Sequence, residues 1–161
     1  MTEIAVQPLT QAGFAPFGDV LDVTGAPDRI INAGLCGRWH DRARLDFGPG
    51  GRAGISIFLS EPRALPCTLD LLERHPEGSQ AFLPMHGRDW LVVAAPDDGG
   101  KPGEPLAFLA SGSQGINFHR GTWHGVLTPL SAPGLFAVVD RIGDTANLEE
   151  YRLDPPCVVT A

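Results

Sequence analysis

Apolar residues in this sequence come in short runs, and each run is stopped before it reaches the length of an ordinary helix. Gly54 to Leu59 alternates at period two and meets Glu61-Pro62. Pro66 to Leu72, Ala81 to Pro84 and Trp90 to Ala95 follow, the last stopped by Pro96-Asp97-Asp98-Gly99-Gly100. Leu106 to Leu109, Gly115 to Phe118, Gly125 to Leu127 and Leu135 to Asp140 complete the series. Turn signals recur about every ten residues, which is the pattern of an all-β sandwich or barrel. The 20 glycines and 15 prolines are spread along the chain, as expected for turns between strands and not for a disordered tail. Two short helices are expected, one within Leu9 to Phe14 and a turn or two across Thr145 to Tyr151. At 161 residues, with no internal repeat and no long linker, residues 1–161 read as one domain.

Charge narrows the function. The formal net charge is -7, against the clustered positive charge that nucleic acid or an anionic membrane demands. Neither partner is expected. Lysine occurs only as Lys101, so the positive charge is nearly all arginine, whose planar fork suits carboxylates. Cys36, Cys67 and Cys157 are far apart and form no C-x-x-C pair, so free thiols in a reducing compartment are expected. The first residues lack the basic and apolar regions of a signal peptide, and no apolar run approaches a membrane span. A cytoplasmic location is the expectation.

Chemistry concentrates in two segments. One is Glu73-Arg74-His75-Pro76-Glu77-Gly78-Ser79-Gln80, the other Asn117-Phe118-His119-Arg120-Gly121-Thr122-Trp123-His124. On a strand Glu73 and His75 share a face, as do Gln80 and Phe82. Facing inwards, these segments supply a carboxylate, an amide and imidazoles. Such a set could bind a divalent metal through His75, Gln80 and His124, or run acid–base chemistry without one; periodicity leaves both open. Alternation turns Arg74 outward, towards an external ion pair. His40 and His86 read as ordinary surface or core histidines.

The spacing Glu73-x-His75-x4-Gln80-x6-Gly87 resembles the first cupin motif, with Glu and Gln at two positions usually held by His and Glu. His119-x-Gly121-x2-His124 resembles the second, with His119 at its usual Pro and Thr128 at its closing Asn. The resemblance implies a cupin-like double-stranded β-helix, a jelly-roll barrel with one or two short helices.

A longer string is similar to the ureidoglycolate lyase family. It comprises Glu73-Arg74-His75-Pro76-x-Gly78-Ser79-Gln80-Ala81-Phe82-x-Pro84, Gln114-Gly115-x-Asn117-x-His119-Arg120-Gly121-x-Trp123-His124 and Val138-Val139-Asp140-Arg141. Ile31-Asn32-x-Gly34, Ser56-x-Phe58 and Asn147-x-Glu149-Glu150 extend it over most of the chain. Gly125 departs from the family, where a further His is common.

That resemblance implies cleavage of ureidoglycolate to glyoxylate and urea in allantoin breakdown, a homodimer, and a divalent cofactor, nickel being the ion ascribed to the family. It implies His75, His124 and Glu73 as catalytic, with Gln80, Asn117, His119, Trp123, Arg141, Asn32 and Ser56 binding substrate. Arg74 and Arg120 are further candidates for the substrate carboxylate. Two other readings stand beside it: a metal-dependent cupin enzyme acting on another small acid, and a non-catalytic small-acid-binding cupin.

Overall fold

The computed structural model describes residues 1–161. Its strands are β1 (Thr2–Pro8), β2 (Gly18–Leu21), β3 (Arg29–Ile31), β4 (Cys36–Arg38), β5 (Arg52–Ser60), β6 (Cys67–Arg74), β7 (Gln80–Pro84) and β8 (Trp90–Ala95). They continue with β9 (Asp97–Asp98), β10 (Lys101–Pro102), β11 (Leu106–Ala110), β12 (Gly115–Phe118), β13 (Trp123–His124), β14 (Thr128–Pro129), β15 (Gly134–Ile142) and β16 (Glu149–Thr160). The eight apolar runs each contribute to a strand or, for Gly125 to Leu127, to the turn between two strands.

Two sheets do the building. One has the order β11-β1-β16-β6-β13-β8-β14 and closes into a barrel because β8 also pairs with β11. The other has the order β2-β12-β7-β15-β5. The all-β, cupin-like barrel is therefore the fold, and β3 and β4 form a separate hairpin.

Alternation in β8 explains why there are two cores. Trp90, Val92 and Ala94 face the five-stranded sheet and join Phe14, Phe82, Phe108, Phe118, Phe136 and Val138. Leu91, Val93 and Ala95 face the closed ring and join Leu69, Leu72, Trp123 and Val159. Both faces of β8 are thus buried, which is why its sequence is a continuous apolar run.

The N-terminal helix, α1, is a single turn over Gln11–Phe14, capped by Thr10 Oγ1, which accepts from the Gly13 N–H at 3.0 Å. The expected helical turn at Thr145 to Tyr151 does not form. Residues from Glu149 onward pair with β6, Glu149 opposite Arg74 and Glu150 opposite Glu73. Asn147 just before them takes a left-handed φ of 43°, which breaks any helix. Sheet pairing and the Arg74–Glu149 ion pair outweigh a weak local helical preference.

Gly18 shows how closely the second sheet is packed. A Cβ there would overlap the carbonyl oxygen of Asn117 on the neighbouring strand. Gly18→Ala is therefore expected to separate β2 from β12 and cost at least ~2 kcal/mol, read as a lower midpoint in urea unfolding.

Candidate active site

The centre forms where three strands line up side by side. β13 pairs with β6 so that His124 lies directly opposite Glu73, and β16 places Glu150 on the other side of Glu73. Opposed residues share a face, so His124, Glu73 and Glu150 point the same way. His75, one residue beyond β6, turns its ring to within 5.3 Å of the His124 ring, centroid to centroid. One ligating atom from each of Glu73, His75 and His124 lies within 4.8 Å of the others.

Hydrogen bonds fix which imidazole atoms are free. His75 Nδ1 lies 2.9 Å from the Asn147 carbonyl oxygen, and His124 Nδ1 lies 3.0 Å from that of Gly125. A carbonyl only accepts, so both Nδ1 atoms donate, and in the neutral form of either ring the lone pair falls on Nε2. Both Nε2 atoms are buried and without a partner in the protein. Two imidazole lone pairs beside a carboxylate make a donor set that fits a divalent cation.

Burial sets the electrostatics. His124 is fully enclosed, with Phe118 stacked on it at 4.3 Å between centroids and 10° between planes. Desolvation pushes its pKa down to about 3, despite the Gly125 hydrogen bond, so the ring is neutral at physiological pH. Burial likewise raises the Glu73 carboxyl above its ordinary range, the nearby His75 opposing and Glu150 reinforcing the shift. Two carboxylates directly opposite each other on adjacent strands destabilise a sheet.

The centre opens into a pocket of about 380 Å³ whose walls include Phe58, Gln80, Asp140, Arg141 and Asn147. Gln80 donates through Nε2 to Asp140 at 3.2 Å, leaving its buried Oε1 without a partner. Glu73 converges with the two imidazoles, and Gln80 lines the same pocket. Arg141 donates to Thr145 Oγ1 and to the Pro49 carbonyl, both at 3.2 Å. Gly51, Gly78 and Gly143 line its side chain so tightly that a Cβ on Gly51 would come 2.6 Å from Nε. Arg141 thus lines the pocket with its side chain held by these glycines, and its buried Nε has no partner in the protein. Ser56 lies on the inward face of β5, opposite Val138, two residues before Phe58.

Other sequence-selected residues lie elsewhere. Asn117 points to the opposite face of β12 from Phe118, and His119, one residue past the strand, lies on the same side as Asn117. Asn117 donates to Asp19 and to the Arg44 carbonyl, each at 3.0 Å. His119 Nε2 is 3.0 Å from Asp19 Oδ2, and its Nδ1 is 3.2 Å from the Arg44 guanidinium. Trp123 is buried in the ring core under Arg74 and donates to Asp97. Asn32 is exposed at the tip of the β3–β4 hairpin. Arg74 pairs outward with Asp97 and Glu149, as alternation requires. Arg120 holds the His75 loop by donating to the Pro76 carbonyl, and Gly121 N–H donates to that of His75.

Phe118, Asp140, Asn147 and Glu150 belong to the site without having been selected from sequence. Strand parity was a usable signal for Asp140, which shares a face with Val138. Asn147 and Glu150, both within the family-like string, reach the site through long-range contacts, Asn147 with the turn after β6 and Glu150 with β6 itself.

A cupin-like barrel fold whose imidazole–carboxylate cluster faces the five-stranded sheet, beside a pocket that Arg141 lines, defines the class as a small-molecule enzyme. Residues 1–160 match the family model described as ureidoglycolate lyase. A ureidoglycolate lyase of Rhodobacter capsulatus is 58% identical over 159 residues, covering 99% of each chain. One of Mesorhizobium japonicum is 50% identical over 153 residues, 94% of each chain, and ureidoglycolate lyase 2 of Rhizobium meliloti is 48% identical over 157 residues, 97% of this chain and 96% of that one. The chain belongs to the ureidoglycolate lyase family, a family of lyases.

Proposed function

We propose that this enzyme cleaves the C–N bond of ureidoglycolate, releasing urea and glyoxylate, at the centre made by Glu73, His75 and His124. The observation that carries the reading is two unpartnered imidazole Nε2 atoms facing a carboxyl whose pKa is raised. The substrate carries a carboxylate, a hydroxyl and a ureido group on one carbon. Cleavage takes the proton from the hydroxyl, forms the C=O of glyoxylate, and returns a proton to the departing nitrogen.

His75 Nε2 is placed to accept the hydroxyl proton. Glu73, holding its proton to higher pH than an ordinary carboxyl, is placed to donate to the ureido nitrogen. His124 stays neutral and serves as an acceptor that orients the hydroxyl. The free Gln80 Oε1 accepts from the ureido N–H groups. In an alternative, metal-assisted form Glu73, His75 and His124 would instead hold a divalent metal, for which nickel suits the imidazole–carboxylate donors, and which would polarise the hydroxyl oxygen in place of the proton acceptor.

Arg141 is the proposed partner of the substrate carboxylate, since its fork is already fixed by glycines and two acceptors. Arg141→Lys replaces a two-pronged donor by a point charge. KM for ureidoglycolate is expected to rise about tenfold, with kcat within a fewfold, by steady-state kinetics.

The setting we propose is allantoin-derived nitrogen use in the cytoplasm, by a homodimer. No helix is long and apolar enough to cross a membrane. Incubation with ureidoglycolate is expected to yield urea and glyoxylate in equal amounts, and loss of turnover on chelation would favour the metal-assisted form. Release of ammonia in place of urea would contradict the lyase chemistry.

A further inference from the structure

Asn147 lies in the segment between β15 and β16, with the left-handed φ of 43° noted above. It makes two contacts with the turn that follows β6. Its main-chain oxygen accepts from His75 Nδ1 at 2.9 Å, and its side-chain Oδ1 accepts from the Glu77 N–H at 2.7 Å. One contact touches the imidazole ring and the other the backbone two residues further on.

We propose that Asn147 is a positioning residue that fixes the His75 tautomer, keeping the proton on Nδ1 and the lone pair of Nε2 on the reacting side. This rests on the reading of His75 as the proton acceptor. Any residue has a carbonyl, but this carbonyl faces His75 only because residue 147 is left-handed and tied to Glu77. Asparagine meets both needs: it tolerates the left-handed region better than most residues, and its side chain accepts. Aspartate also has both properties, glycine has the backbone freedom alone, and alanine has neither. The order of side chains is therefore a graded test.

His75 has no other hydrogen-bonding partner at Nδ1. Without the fixed carbonyl, the ring is free to flip or to carry its proton on Nε2, which would silence it as a base. Removal of such orienting partners typically costs 10–100-fold in activity.

Asn147→Ala is expected to lower kcat about 10–100-fold with KM within about twofold, Asn147→Gly to fall between, and Asn147→Asp to restore most of the activity. An independent readout comes from the imidazole 15N and 1H resonances of His75 in mildly alkaline buffer. The wild-type ring should be the Nδ1–H form, and Asn147→Ala should gain the Nε2–H form. A wild-type kcat in Asn147→Ala, or an unchanged tautomer in a folded Asn147→Ala protein, would overturn the proposal. Should wild-type protein fail to cleave ureidoglycolate, the resonances still decide the role of Asn147, so the two failures are separable.

Discussion

His75→Ala is expected to lower urea release from ureidoglycolate by about 10²–10⁴-fold, the range that a positioned proton carrier supplies, and His124→Gln by about 10²-fold through loss of the acceptor that orients the hydroxyl. Both variants should keep the wild-type fold by circular dichroism. His75 lies beyond the end of β6 and is half-buried, so its truncation leaves no core cavity. Glutamine at 124 keeps much of the volume that packs against Phe118. The losses should not add, because the two rings and Glu73 act on one substrate atom set: the double variant should be little worse than His75→Ala alone. His119→Gln provides the contrast. Its ring contacts Asp19 and Arg44 outside the centre, and turnover should stay within about threefold of wild type. An active His75→Ala with an inactive His119→Gln would place the chemistry on the wrong face of β12.

The second large effect is acid sensitivity without metal. The buried His124 binds its proton only near pH 3, whereas in the unfolded chain it would do so near 6.5. Between those values the unfolded state holds more protons, so folding stability falls as pH falls, by up to about 1.4 kcal/mol per pH unit. From pH 6.5 to 4.5 that is about 2–3 kcal/mol, before the depressed carboxyls of Asp19 and Asp22 begin to titrate. Glu73 opposes this in part, since its raised carboxyl takes up a proton in the folded state first. Urea unfolding of chelator-treated protein should show the falling stability, and His124→Gln should flatten it. Parallel curves for the two proteins would refute the assignment.

Much of the fold was legible because its strands are short and strongly punctuated. Trp90 to Ala95 reads as a buried strand, and Pro96 onward as its stop, from composition alone. The Thr145 to Tyr151 segment misled because local preference there is weak and the deciding partner, β6, is some seventy-five residues away. The site divides the same way. Glu73 and His75 were visible as same-face residues at a strand end, and His124 by its spacing from Gly121. Asn117 and His119 were grouped with them because they are near in sequence, yet odd and even positions of β12 face opposite sides. Trp123 is separated from His124 by the same alternation, and Asn32 stands on a hairpin outside both sheets. What proximity joins, strand parity can divide.

A crystal structure of the protein with glyoxylate and urea bound tests the central assignment most directly. The products are expected in the pocket walled by Phe58 and Gln80, with the glyoxylate carboxylate on Arg141 and its carbonyl oxygen beside His75 and His124 Nε2. Products bound instead at Asp19 and His119, with the Glu73 pocket empty, would contradict it.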